Sequence, residues 1–352
     1  MKKIVFFLLL LTNASVHAQK KPLDHTVYDS WQSIGEKKIS NNGKWIAYVI
    51  NVQEGDGNLV IQSTDASYKN TIPRGYNVTI TPDSRFVIFK IKPPYADTRQ
   101  AQIKKKKPDE FPKDSLAIME LGKDSITKIA RVKSYQVPKK NAQWIAWQLE
   151  KPLADTSKKK PTDSLALKID STRKNTAAPT PEQAKKRQKI TNPPAIKDFI
   201  ENDYADDDKD GDGKAGEGTA ISIYNLNTNT AEIVQFVNEY LWSKTGNILL
   251  IETTRNKKDS LGKAAVQIFR TAENRFDTIT KGGNDFKNFA IDENGTQIAY
   301  VAERDSSAKA LQKFYKLWYW KNGQDSAIML ADKNIAGMPI GWGISENAAL
   351  RF

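Results

Sequence analysis

Carboxylates at metal-binding spacing form the densest group of chemically active residues in the sequence. The segment DDDKDGDGKAGEG, Asp206 to Gly218, satisfies the pattern D-x-D-x-D-G-x5-E of a calcium-binding loop. Calcium prefers about six to eight hard oxygen ligands and a glycine turn in the middle of the loop, which Gly211 supplies. The candidate calcium ligands are Asp206, Asp208, Asp210, Asp212 and Glu217.

Two features of this acidic loop oppose calcium binding. Gly213 stands where such loops normally carry an apolar anchor, and the segment that follows, Ala220 to Leu226, has the pattern of a strand and not of a helix. Two interpretations therefore stay open: an acidic hairpin tip that faces water, or a calcium site that stabilises the end of an insertion. No other cofactor is predicted.

The residues of a serine hydrolase are not found in the sequence. A nucleophile elbow requires G-x-S-x-G, and the nearest string, Gly343 to Asn347, lacks the second glycine. Cysteine is absent, and the histidines are His17 and His25. We therefore predict no catalytic residue and no activity for this chain alone. A glycosidase-type carboxylate pair stays open, because sequence does not show which acidic residues face each other.

The N-terminus has the pattern of an export signal. Lys2 and Lys3 precede an apolar run, Ile4 to Leu11, and small residues follow at Val16 and Ala18. This apolar run is too short to span about 30 Å of hydrocarbon, which disfavours an uncleaved membrane anchor. We predict that residues 1–18 are a signal peptide cleaved near Ala18, and that the mature chain is periplasmic or secreted with no transmembrane span.

One phrase recurs along the rest of the chain. It is a polar turn with Asn, Asp or Gly, followed by a strand that is apolar on both faces, as in SNNGKWIAYVI (Ser40 to Ile50). The equivalent turn positions are Gly43, Ser84, Ala142, Gly246, Gly295 and Ala348. Three further strand-like segments lie between successive copies, so each unit contains four antiparallel strands.

These repeats predict an all-β fold, a β-propeller of four-stranded blades with five recognisable units plus the start of a sixth. A β-sandwich with coincidental spacing is the alternative. The intervals between turn positions are 41, 58, 104, 49 and 53 residues, against about 40 to 50 for an ordinary blade. Residues 19–352 are therefore predicted to form a partial propeller with lysine-rich insertions at 92–113 and 150–218. Both follow the second strand of a unit, which places them on one rim.

The net charge of +13 is concentrated in a few segments. Residues 151–190 contain eleven Lys or Arg against four Asp or Glu, residues 104–113 contain five against two, and the signal carries Lys2 and Lys3. These three segments together carry twelve of the thirteen net positive charges. The long insertion is polar and poor in aromatic residues, which indicates a solvated loop or a contact with an anionic envelope surface. Nucleic acid is not predicted as a partner, because no aromatic residues are interleaved with the basic residues to stack on bases.

The repeat phrase S-x-D/N-G-x-x-I-A-Y/F resembles the N-terminal propeller of the prolyl oligopeptidase family of serine peptidases, including dipeptidyl peptidase IV-like enzymes. The resemblance is carried by the segments Ser40 to Ile50, Thr26 to Ser40 and Lys92 to Leu121, and it covers essentially the whole mature chain. TolB-like propellers share the phrase alone, so a stand-alone envelope propeller that binds proteins is the alternative.

The resemblance implies a substrate-gating domain. In that family the propeller covers the cleft of an α/β-hydrolase domain and limits entry to short peptides, while the hydrolase domain carries Ser, Asp and His. None of those positions is present here, so no family catalytic residue can be transferred to this chain. We expect a non-catalytic part of an exported peptidase, whose C-terminal hydrolase domain is encoded elsewhere or lost. Because the chain ends at Phe352, inside a copy of the repeat, the sequence predicts a truncated chain.

Overall fold

The fold is all-β in the part of the chain that the structure describes. This structure is a computed structural model, and it describes residue 28 and residues 31–152, 218–256, 262–305 and 312–352. Its strands are β1 (Gln32–Ile39), β2 (Trp45–Val52), β3 (Asn58–Ser63), β4 (Lys69–Pro73), β5 (Gly75–Ile80), β6 (Phe86–Ile91), β7 (Ser115–Glu120), β8 (Ile126–Ile129), β9 (Val132–Gln136), β10 (Trp144–Leu149), β11 (Thr219–Asn225), β12 (Thr230–Trp242), β13 (Ile248–Thr253), β14 (Ala265–Arg270), β15 (Arg275–Lys281), β16 (Asp285–Ile291), β17 (Gln297–Glu303), β18 (Lys316–Lys321) and β19 (Ile328–Ala331).

The strands form five antiparallel four-stranded units in chain order. Sheet 1 is β1 to β4, sheet 2 is β5 to β8 and sheet 5 is β16 to β19. The strands β9 to β15 form one array of seven, because the long strand β12 belongs to two units. Its first half pairs with β11 and its second half with β13. We call residues 132–236 sheet 3 and residues 237–281 sheet 4. The predicted propeller of five units is confirmed.

The repeated turn phrase has one hydrogen-bond pattern. In sheet 1, Gly43 N donates to Ser40 O at 2.9 Å and Trp45 N donates to Ser40 Oγ at 3.0 Å. Sheet 5 repeats this with Asp292, whose Oδ1 accepts from Gln297 N at 2.7 Å. In four of the five units this position is Ser, Thr or Asp, because the side chain satisfies the first amide of the next strand, and the third unit has Lys139 there. The glycine of the phrase is needed because Gly43 has a φ of 68°.

The core lies between successive sheets, which explains why the strands are apolar on both faces. Each of four clusters joins one face of a sheet to the opposing face of the next. Ala47 and Val49 of sheet 1 pack on Val87 and Phe89 of sheet 2, for example. The other clusters join sheets 2 and 3, sheets 3 and 4, and sheets 4 and 5 in the same way.

A left-handed residue marks each passage from one sheet to the next. Arg74, Arg131 and Phe236 have φ values of 62°, 56° and 59°, and Gly282 and Gly283 occupy the fourth passage at 86° and 145°. The carbonyls of Arg74, Arg131 and Phe236 each accept a hydrogen bond from the residue that follows the second strand of the next sheet. The passage is thus fixed by backbone geometry and not by the side-chain type.

Two parts of the structure differ from the sequence-based prediction. A helix that the repeat pattern does not predict, α1 (Tyr95–Ile103), lies within the insertion after β6. Residues 345–352 form no strand, although they carry the last copy of the phrase. Before them Ile344 makes an isolated bridge to Tyr315, and Asn288 Nδ2 donates to Glu346 O at 2.5 Å. A strand needs a paired neighbour along its length, and residues 345–352 have none in the described structure.

Candidate functional site

Long connections collect at one end of the sheets, which we call the loop rim. It consists of the connections from the second to the third strand of each unit, at residues 53–57, 92–114, 150–218, 254–264 and 304–315. The first strand of sheet 1 also starts there, because Gln32 pairs with Val52 at the end of β2. The opposite end, the turn rim, carries the short turns of the repeated phrase.

Helix α1 is held against the neighbouring unit at the loop rim. It begins after Pro94, whose fixed φ suits a helix start. Tyr95 N donates to Asp56 Oδ1 at 2.9 Å and Tyr95 OH donates to Glu54 Oε1 at 2.5 Å. The guanidinium of Arg99 lies 2.6 Å from the same Glu54 carboxylate. The insertion of sheet 2 is therefore tied to the β2–β3 connection of sheet 1.

The ends of the two lysine-rich insertions meet at this rim. Lys113 Nζ at the end of the first lies 3.6 Å from Glu150 Oε2 at the start of the second. Arg131 donates from its guanidinium to Lys151 O at 2.6 Å. At the far end of the second insertion, Gly218 N donates to Thr254 Oγ1 at 2.9 Å.

A buried charged group lies behind α1, between sheets 2 and 3. Lys90 Nζ is 2.7 Å from Asp114 Oδ2 and donates to Lys133 O at 3.1 Å. Tyr76 OH donates to the same Asp114 carboxylate. Burial and this carboxylate raise the pKa of Tyr76 well above its usual range. Its phenol therefore stays a hydrogen-bond donor at all physiological pH values.

Lys90 marks a polar position that recurs in the repeat. Lys90, Gln148 and Glu252 each lie six residues after the turn position of their unit, and each is buried, with at most 8% of its surface exposed. The equivalents in sheets 1 and 5 are Val49 and Val301. We call this position the joint position, because it faces the next sheet.

The side chains at two joint positions donate to equivalent carbonyls. Lys90 donates to Lys133 O, and Gln148 Nε2 donates to Val237 O at 2.7 Å. Lys133 and Val237 both lie nine residues before the turn position of the following unit. The joint position thus provides a hydrogen bond from the second strand of one sheet to the first strand of the next.

Glu252 differs from these two because a carboxylate accepts hydrogen bonds and does not donate them. Asn238 Nδ2 donates to Glu252 Oε2 at 3.0 Å, and Glu239 is its cross-strand partner on β12. Burial, with smaller effects of Glu239 and Asp285, raises the pKa of Glu252 to about 7. Glu252 is therefore poised to exchange a proton near neutral pH.

Charged groups continue along the rim into sheet 5. Tyr315 OH donates to Asp285, and Lys287 Nζ lies 3.4 Å from Asp285 and 2.5 Å from Glu346. Hydrogen bonds from Lys287 and Tyr315 lower the pKa of Glu346, whereas burial first and then Asp285 raise the pKa of Tyr315. These acidic groups are paired with cations or donors, which suits a structured recognition surface.

The predicted calcium ligands Asp206, Asp208, Asp210, Asp212 and Glu217 lie outside the described residues, as do His25 and the predicted signal peptide. Among the described residues, no group of three or more His, Cys, Asp or Glu side chains is arranged to hold a metal ion. No helix in the described ranges has the length and hydropathy needed to cross a membrane. The calcium loop therefore stays a prediction.

Two concave surfaces accompany the rims. One, of about 290 Å³, lies between α1 and Pro112 and is lined by Asp97, Gln100 and Lys104. The other is an open groove of about 650 Å³ at the turn rim between sheets 4 and 5. Asp277 in this groove pairs with Arg270 at 2.6 Å and with Arg275 at 2.9 Å, so two guanidinium groups share one carboxylate.

No family model matches the chain, and no curated protein matches it. Several solved structures are similar to it. The β-propeller domain of the Trilobed protease from Pyrococcus furiosus is 12% identical over 85% of this chain and 72% of that chain, with a TM-score of 0.38.

Two further similar structures are an acylaminoacyl peptidase and a TolB protein. The Pyrococcus horikoshii acylaminoacyl peptidase is 11% identical, covers 87% of this chain and 41% of that chain, and has a TM-score of 0.40. TolB from Acinetobacter baumannii is 10% identical, covers 84% of this chain and 56% of that chain, and has a TM-score of 0.31. Because each of these TM-scores is below 0.5, the fold assignment rests on the sheet topology described above.

Proposed function

We propose that this chain is a substrate-gating propeller, which docks through its loop rim on the α/β-hydrolase domain of an exported prolyl oligopeptidase-like peptidase. The observation that carries the proposal is the collection of long connections at one rim of five successive four-stranded sheets. Such connections vary without disturbing the sheets, so they are where a propeller acquires partners. The sequence resemblance supplies the class of partner.

Three contacts support the loop rim as the docking side. Glu54 binds α1, Lys113 pairs with Glu150, and Gly218 donates a hydrogen bond to Thr254. The two insertions therefore emerge from the same side of the molecule. The first strand of sheet 1 also begins on this side. Both lysine-rich insertions, 92–113 and 150–218, are proposed to surround the docking area.

A trans assay tests the proposed gating. The hydrolase domain of a prolyl oligopeptidase-type enzyme, expressed without its own propeller, is assayed with a short X-Pro anilide and with casein. Adding this chain is expected to slow casein cleavage at least tenfold and to change anilide cleavage less than twofold, because a steric filter excludes large substrates only. Equal effects on both substrates, or none, would contradict the proposal.

Matched charge reversals test which rim is used. The loop-rim variant Arg99→Glu/Lys113→Glu is expected to lose protection of casein, since both side chains lie at the proposed docking side. The turn-rim variant Lys44→Glu/Lys123→Glu changes the charge equally and is expected to protect like the parent chain. Protection lost only in the turn-rim variant would place docking on the opposite side.

Export is proposed from the N-terminal signal. The mature protein recovered from a Gram-negative host is expected to begin at Gln19, because signal peptidase cleaves after the small residue Ala18. Mass spectrometry of the intact secreted or periplasmic protein measures this end directly, and a chain that keeps Met1 would contradict it.

A further inference from the structure

The joint between sheets 4 and 5 has an acid where the repeat elsewhere has a hydrogen-bond donor. Lys90 and Gln148 donate to Lys133 O and Val237 O on the next sheet. The position equivalent to these acceptors in sheet 5 is Phe286, nine residues before Gly295. Glu252 can donate there only when it carries a proton.

The surroundings of Glu252 favour the protonated form. It is 5% exposed, and the residue opposite it on β12 is a second acid, Glu239. On the other side, β14 places the apolar Val266 opposite Glu252. An ionised carboxylate in this setting would be both desolvated and repelled by its cross-strand neighbour.

The charges facing Glu252 from sheet 5 add to this effect. Asp285 lies at the start of β16 and pairs in register with Glu303 on β17. The nearby cations Lys287 and Lys313 lie 3.4 Å and 3.9 Å from Asp285, and Lys287 also lies 2.5 Å from Glu346. These cations pair with acids of sheet 5, and Asp285 still disfavours the ionised form of Glu252.

We propose that Glu252 is a protonated hydrogen-bond donor below neutral pH, and that loss of its proton weakens the contact between sheets 4 and 5. The proton passes to solvent, and the carboxylate left behind can no longer donate toward Phe286 O. The neighbouring joints contain Lys90 and Gln148, which remain donors throughout this range. The device is thus confined to one of the four joints, and it is independent of the proposed docking partner.

The repeat itself supplies the test variants. Glu252→Gln copies Gln148 and stays a neutral donor at every pH, while Glu252→Lys copies Lys90. Glu273→Gln, at an exposed turn of the same sheet, is the control. The full chain and each variant are unfolded in urea at half-unit steps from pH 5 to pH 9.

The expected result is a pH-dependent difference between wild type and Glu252→Gln. Between the unfolded and folded pKa values, the folded state keeps a proton that the unfolded state has lost. Each unit of rising pH in this range therefore raises the equilibrium constant for unfolding by up to about tenfold. The stability due to the proton is complete below the ordinary glutamate pKa of 4.5 and falls until the pH passes the folded pKa of about 7. Above that pH the difference becomes constant. Glu273→Gln is expected to follow wild type.

Hydrogen exchange locates the effect. Amides of β16 and β17 are expected to exchange faster in wild type than in Glu252→Gln above pH 7, after correction for intrinsic rates, while sheets 1 and 2 exchange equally. If Glu252→Gln folds poorly, Glu252→Lys supplies the same comparison. Parallel stability profiles in wild type and the donor variants, or exchange that is unchanged at β16 and β17, would overturn the proposal.

Discussion

Single residues in the repeated turn determine how each sheet starts. Ser40 and Asp292 satisfy the first amide of the strand that follows, and Gly43 and Gly246 adopt φ values of 68° and 73° that other residues rarely accept. The two glycines differ in their surroundings. A Cβ at Gly43 would meet no atom within 4 Å, whereas a Cβ at Gly246 would lie 2.5 Å from the Cβ of Asn141.

Alanine substitutions at these two glycines therefore distinguish the cost of backbone strain from the cost of a packing collision. Gly43→Ala is expected to cost about 1 kcal/mol, the strain of a left-handed alanine. Gly246→Ala adds a collision with Asn141 and Pro138 of the preceding unit and is expected to cost at least about 1 kcal/mol more. Urea unfolding measures both, and equal losses would show that the neighbouring turn moves away freely.

The ion pair of Lys90 with Asp114 gives a second test at the residue scale. Asp114→Asn leaves the buried ammonium without its carboxylate and is expected to cost about 3 kcal/mol. The double variant Lys90→Gln/Asp114→Asn copies the joint at Gln148, removes the orphaned charge and is expected to recover at least half of that loss. Calorimetric melting of the three proteins checks this, and additive losses would contradict it.

At the scale of elements, the strands could be predicted because each combines a polar turn with residues that are apolar on both faces. Helix α1 could not be predicted, because it buries Ala101 and has no stripe of apolar residues at helical spacing. The joint position could have been found by aligning the repeats, since Lys90, Gln148 and Glu252 share one offset. The carbonyl and amide groups that bond to these side chains could not be predicted in the same way, because the two acceptor carbonyls lie on the next sheet.

The attachment of α1 is expected to be weak on its own. Arg99 and Glu54 are 56% and 47% exposed, and pairs of this kind contribute about 0 to 1 kcal/mol. A double-mutant cycle of Arg99→Ala and Glu54→Ala is therefore expected to give a coupling energy below about 1 kcal/mol in urea unfolding. A coupling above about 2 kcal/mol would mean that α1 is an integral part of the core.

At the scale of the whole molecule, the sheets contact one another in chain order, each packing mainly on its neighbours. Because the core lies between the sheets, the connections at the loop rim can vary in length, and both insertions begin and end there. Within the insertions, the excess of Lys and Arg over Asp and Glu is concentrated in residues 104–113 and 151–190, while the acidic stretch near Asp206 offsets it in the longer insertion. The basic segments would orient an acidic partner before contact.

The proposed docking side is tested most directly by cross-linking. The chain is mixed with a propeller-free hydrolase domain of the prolyl oligopeptidase type and treated with an amine-reactive cross-linker, and the linked lysines are identified by mass spectrometry. The loop-rim lysines Lys92, Lys113 and Lys313 are predicted to be linked to the hydrolase domain. Links confined to the turn-rim lysines Lys44, Lys123 and Lys140 would contradict the account.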